Sequence, residues 1–273
     1  MTPVGAVVAV VNQKGGVGKT TVTMGLASAA LERGHKVLVV DLDPQGASTW
    51  VLGLDPSATS RGVIDVLGSS RAGSAKQAIV ASEWSHLVDV LPASPGLQQL
   101  EVLRSNGLDQ LLGGSAPAAR LRNGLKKVTP GYGVVLIDCP PSLGSLTANG
   151  LTAADQALIV VEPTALSLRG VAPVADLIES VWESHNGELD LAGVIVNRMP
   201  GRSIDAAAHR SELARTVGES SLWEPSIPHR VVVTEAAAHR RPIHAMGARG
   251  AAVAQVFDQL YDQLWKRIRP TRK

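Results

Sequence analysis

Short apolar runs that stop at a polar or acidic residue recur along the 273-residue chain. Residues 6–11 form the first, small or β-branched throughout and ending at Asn12-Gln13, the pattern of a strand buried on both faces. Residues 20–33 follow with helical spacing, apolar at Met24, Leu26, Ala27, Ala30 and Leu31, and Gly34 stands where a helix C-cap belongs. A second strand is expected over residues 36–41, which completes a βαβ unit. Further strands are expected at 87–91, 134–138, 157–161 and 191–197, and helices near 95–112, 146–154, 167–182, 204–216 and 247–268. Such alternation predicts an α/β fold, a single-domain, doubly wound, mainly parallel sheet with helices on both faces. The Gly/Ser/Ala-rich stretches 68–75 and 113–119 read as surface loops, so residues 1–273 are expected to form one domain with a basic tail at 266–273.

Between the first strand and the first helix lies Lys14-Gly-Gly-Val-Gly-Lys-Thr-Thr21. Gly15, Gly16 and Gly18 let backbone N–H groups curl around phosphate oxygens, and the helix offers its positive end to the same anion. Val17 and Thr21 complete the loop; Lys19 is expected at the β/γ-phosphates of ATP and the Thr20 hydroxyl on Mg²⁺. The ordinary Walker spacing requires a glycine at the position of Gln13, and a lysine at the start of the loop, Lys14, takes over from it. Two more acidic strand ends fall on the same sheet edge, where ligands of parallel sheets gather. One is Asp41-Leu-Asp-Pro-Gln-Gly46; the other closes Val134-Val-Leu-Ile-Asp138, the Walker B form, in which Asp138 is expected to hold Mg²⁺. Asn197 ends a later strand, where its amide could meet the edge of adenine or simply close a turn.

The loop with its leading lysine resembles the deviant Walker family of ParA, MinD, nitrogenase iron protein and arsenite-pump ATPases. The Asp-x-Asp-Pro-Gln-Gly segment, the run from Cys139 to Asp155, Val161-Glu-Pro-Thr164 and residues 227–236 are similar to ParA in particular. That resemblance implies an ATP-dependent homodimer in which Lys14 reaches the phosphates of the other subunit. It places Asp43 beside the attacking water and near the metal with Asp41 in support, and Asn197 with Arg198 at the base. It also implies nonspecific DNA binding in the ATP state, slow hydrolysis stimulated by a ParB-like or other cargo-bound activator, and a cytoplasmic, nucleoid-associated protein. Six residues precede the similarity, so no helix-turn-helix extension is expected.

Charge and composition trim the alternatives. From Arg198 onward there are 13 Lys/Arg against 7 Asp/Glu, a net of +6, which suits a polyanion or is ordinary scatter on solvated helices. Arg202, Arg230, Arg240 and Arg241 are the candidate DNA contacts, although many relatives carry an arginine where this chain has Val232. The one cysteine, Cys139, excludes the shared cluster of a nitrogenase-type reductase and is expected to be a buried hydrophobe. A single phosphate loop argues against a duplicated arsenite pump, and Lys14 with Asp-Pro-Gln argues against a ligase resembling dethiobiotin synthetase. No apolar stretch reaches spanning length. The remaining rival is a MinD-like membrane-cycling ATPase. Val256, Phe257, Leu260, Tyr261, Leu264, Trp265 and Ile268 share one helical stripe, which is either an interfacial anchor or a packing face.

Overall fold

The computed structural model describes residues 5–100 and 117–268. Its centre is a seven-stranded sheet of β1 (Ala6–Val11), β2 (Val37–Asp41), β3 (Val80–Ala81), β4 (Val88–Leu91), β5 (Val134–Asp138), β6 (Gln156–Val161) and β7 (Asp190–Val196). The strand order is β3-β4-β2-β5-β1-β6-β7, and every pairing is parallel except that of β3 with β4. All six expected strands are present; β3, two residues long, has no periodicity to betray it.

Side chains alternate across the sheet. Val8, Val10, Val39 and Leu136 point into a layer containing α1 (Lys19–Glu32), α2 (Ala47–Val51), α8 (Val231–Ala238) and α9 (Gly247–Ile268). Val7, Ala9, Val11 and Ile137 point into the opposite layer, formed by α3 (Val63–Leu67), α4 (Arg120–Leu125), α5 (Ser145–Ala153), α6 (Ala165–Ser184) and α7 (Ile204–Val217). Strands covered on both sides must be apolar throughout, which is why the runs read as continuous rather than alternating. Of the helix expected at 95–112, residues 95–96 form a turn, residues 97–100 are helical and 101–112 lie outside the described residues, as do 113–116 and most of the basic tail. The glycine-rich loop at 68–75 ends in a buried residue, Ala75, which packs in the core.

The C-terminal stripe is a packing face. Phe257, Leu260, Tyr261 and Leu264 are at most 1% exposed, seated against α1. The ring of Phe257 occupies the space that a side chain at Gly25 would fill. Arg33, at the C-cap of α1, adds ion pairs to Asp258 and Asp262 of α9. Among the described residues no helix is long and apolar enough to cross a membrane.

Candidate functional site

Register brings the chemistry to one edge. Asp41 and Asp138 are direct cross-strand partners, and β1 pairs beside them with Val10 opposite Asp138, so the loop after Val11 opens over both carboxylates. The loop turns through Gly16 at φ +81° and Gly18 at φ +89°, the left-handed region that side chains resist. Gly15 is required by neither φ nor packing, since a Cβ there would meet only Pro141 at 3.7 Å. Gly18 is also the N-cap of α1 and has no side chain to cap with, and the first turn carries no acid. The leading N–H groups of α1 therefore keep their positive end for an anion.

The two lysines of the loop differ in direction. Lys19 is buried, 7% exposed, and its Nζ lies 3.5 Å from the carbonyl oxygen of Lys14. Burial lowers its pKa, against the opposing pull of Asp138, Cys139 and Asp43. The backbone N–H of Lys14 donates to Asn12 Oδ1 at 2.8 Å, while its Nζ reaches Glu162 Oε2 at 3.1 Å, just past the end of β6. Asn12 in turn donates to the carbonyl of Val160.

Asp138 Oδ2 accepts the hydroxyls of Thr20 at 2.7 Å and Ser48 at 2.6 Å, while its buried Oδ1 has no partner. Asp41 is fully committed. Its Oδ2 accepts the N–H and the hydroxyl of Thr49, both at 2.7 Å, and its Oδ1 accepts the N–H of Asp43. Burial first, then mutual repulsion, raises the pKa of Asp41, and burial does the same for Asp138 despite its two hydroxyl donors. Asp43 is half-buried beyond the strand end, its Oδ1 accepting the N–H of Gln45. An orphaned carboxylate oxygen, a threonine hydroxyl and a second carboxylate nearby make an oxygen-only donor set that fits Mg²⁺ held largely through phosphate and water. Cys139 is buried as expected, and burial pushes its thiol pKa up, away from nucleophile chemistry.

Asn197 and Arg198 follow β7 and face opposite ways. Arg198 takes φ +56°, and bridges of Met199 to Ile227 and His229 hold that turn. The Asn197 amide donates to the carbonyl of Val17 at 2.8 Å and would collide with any Cβ on Gly18. The donor expected to meet a base is thus used to brace the phosphate loop. Arg198 reaches Glu162 Oε1 at 2.9 Å, so Glu162 joins Lys14 and Arg198. Thr21, Asn197, Arg198, Pro228, His229 and Arg230 line a cleft beside the loop.

The four arginines expected on DNA are not equivalent. Arg230 caps α8 and Arg241 follows its end, both exposed. Arg240 lies between them in sequence order, its guanidinium stacked 4.6 Å over the Trp50 ring. Arg202 is exposed on the turn before α7, away from this helix in sequence and on the other layer's loop. Val232, 7% exposed, faces the core. Sequence reasoning gave no role in the site to Ser48, Thr49, Asn12 or Glu162, although it marked Asn12 as a strand end and Glu162 within a ParA-like segment. Ser48 and Thr49, next to the Asp-Pro-Gln-Gly turn, carried a signal through that position, whereas only the fold joins Glu162 to Lys14.

The AAA domain family matches residues 5–191. The sporulation initiation inhibitor protein Soj of Bacillus subtilis is 32% identical over 251 residues, covering 91% of this chain and 95% of that protein. The chromosome-partitioning ATPase Soj of Thermus thermophilus is 36% identical over 264 residues, 96% of each. Among solved structures, a cobyrinic acid a,c-diamide synthase from Mycobacterium smegmatis with bound ATP analog and magnesium superposes with a TM-score of 0.77 at 31% identity, covering 97% of this chain and 98% of that one. The matched span holds β1 through the start of β7, with the phosphate loop, its leading lysine and both acidic strand ends; the chain belongs to the ParA/MinD family of P-loop ATPases and, within it, to the ParA/Soj type.

Proposed function

We propose that this chain is an ATP-driven dimer that binds DNA without sequence preference and positions or segregates a cargo through slow hydrolysis. As a member of its family it is an ATPase that uses ATP and Mg²⁺. In this reading Gly15 to Thr21 enclose the phosphates, Lys19 lies on the β/γ-phosphates, and Thr20 and Asp138 hold the metal, with Asp43 close by. Mg²⁺, when bound, neutralises charge on the transferring phosphoryl group. Asp43 orients the attacking water, while Asp41 fixes the turn that carries Asp43. The base occupies the cleft beside Arg198, with the carboxamide oxygen of Asn197 as acceptor and its nitrogen retained on Val17.

The observation that carries the dimer is the direction of Lys14. Its ammonium group is drawn out of its own phosphate loop to Glu162 rather than into the nest that Lys19 already serves. A second cation inside one nest gains little and costs desolvation, so its use lies on the phosphates of a facing subunit. Hydrolysis then releases the partner and makes the nucleotide a timer. A cargo-bound, ParB-like activator and a nucleoid location in the cytoplasm complete the reading. Sedimentation with Mg-ATP tests it: Asp43→Ala should accumulate as a long-lived dimer with turnover at least tenfold slower. Lys14→Ala should bind ATP yet neither hydrolyse it nor pair. A monomeric Asp43→Ala protein at saturating Mg-ATP would exclude the scheme.

A further inference from the structure

The contact between Lys14 and Glu162 has a second use. We propose that Glu162 is a positioning residue that holds Lys14 on its own subunit and so sets the threshold for ATP-dependent pairing. The proposal rests on the reading that Lys14 acts in trans, because only a lysine needed elsewhere can be held back.

The geometry is that of a reversible latch. The backbone of Lys14 is pinned by Asn12, and Asn12 is pinned to Val160 of β6, two residues before Glu162. Only the side chain of Lys14 is left to move, and at 39% exposure it can leave without unpacking anything. Glu162, at 17% exposure and followed by Pro163, is the more fixed partner. It offers Oε2 to Lys14 and Oε1 to Arg198 at the same time. When Lys14 departs, Arg198 stays, so the glutamate is not stranded as a lone half-buried charge. Burial works against ionisation here, but the hydrogen bonds from Lys14 and Arg198 hold the carboxyl below its usual pKa, so the latch is charged at neutral pH.

The latch is weak by design of its exposure. Half-exposed ion pairs shift an equilibrium by a factor of about two to five. A symmetric dimer opens two of them, so the factor enters twice and the combined effect is about tenfold.

Sedimentation velocity with Mg²⁺ and a non-hydrolysable ATP analogue tests this on the full chain, using wild type, Glu162→Gln, Glu162→Asp, Lys14→Ala and the Glu162→Gln/Lys14→Ala double variant. Glu162→Gln keeps the shape and the acceptor while removing the charge, and should dimerise at about tenfold lower protein concentration than wild type. Glu162→Asp, which retains the charge, should stay near wild type and serves as the control for local fold. Lys14→Ala, which does not pair, should stay monomeric when the glutamine is added, because the gain needs the freed ammonium. If Glu162→Gln pairs no more tightly than wild type, the latch is excluded while the trans role of Lys14 stands; if the glutamine makes Lys14→Ala pair, both are excluded. If wild type itself stays monomeric with the analogue, the trans role fails, and the latch with it.

Discussion

Asp41 and Asp138 lie side by side on adjacent strands and set the acid–base character of the site. Asp41 has every oxygen accounted for, so it acts as a fixed anion that shapes the turn. Asp138 keeps one buried oxygen without a partner, which makes it the natural seat of any proton the pair retains. Two such close groups titrate as a unit. Burial lifts both above the unfolded carboxylate value of about 4, and the higher step, to about 8, belongs to the pair rather than to Asp41 alone. The folded chain therefore binds protons that the unfolded chain has already shed, and stability present at low pH is lost as pH rises across that window. One retained proton corresponds to about 1.4 kcal/mol per pH unit. Without Mg²⁺ and nucleotide, urea unfolding should show stability falling between pH 5 and pH 8, by up to about 4 kcal/mol from this pair. Asp138→Asn should flatten most of that fall, and a parallel profile in the variant would remove the pair as its cause. Sequence made both aspartates visible, because each ends an apolar run. It did not show which one keeps an open oxygen, since that depends on Ser48 and Thr49 arriving from a helix whose five residues carry no periodicity.

At the scale of elements, α1 joins the phosphate loop to the far side of the molecule through α9. Gly25 lets Phe257 come so close that an added Cβ would lie 2.1 Å from the ring. With that ring 1% exposed, it has nowhere to retreat. Overpacking of this kind costs about 1–3 kcal/mol. Gly25→Ala should lose about that much stability in urea, with partial recovery when Phe257→Leu is added; independent, additive losses would show that the two do not share one space. Buried Ser28 extends the same contact, meeting His244 Nδ1 at 2.6 Å, and His244 Nε2 faces Asp258 of α9 at 3.3 Å. The stripe that builds this interface was legible as a stripe, since Phe257, Leu260, Tyr261 and Leu264 recur at helical spacing. Periodicity states that a face is apolar but not what covers it, and the glycine that receives Phe257 lies more than 200 residues upstream. The long strands and helices were readable for the same reason that α8 was not. Val231-Val-Val233 is β-branched, a composition that favours strand, and forms a helix because Val232 and Ala236 are packed into the core.

For the whole molecule, the net charge of +2 conceals a C-terminal third at +6, and two exposed arginines of that third, Arg230 and Arg241, flank α8. Arg230, whose guanidinium donates to the carbonyl of His229, and Arg241 stand exposed at the two ends of this helix, whereas Arg240 is engaged with Trp50. If the ATP-bound dimer grips DNA through phosphate contacts, its affinity falls with salt, and each contact contributes about 0.9 to the logarithmic slope. Because a twofold dimer presents every residue twice, Arg230→Ala/Arg241→Ala should remove four contacts rather than two. The slope of DNA retention against salt should then become shallower by about 3.6 in the Asp43→Ala background, where the dimer persists, against about 1.8 for a monomer that binds alone. Arg240→Ala should alter the slope far less, its charge being partly spent on the ring. The measurement thus reads the surface and the stoichiometry together. An unchanged slope in the double variant would move the DNA contacts off α8, and a change near half the expected size would leave the arginines in place and take away the dimer.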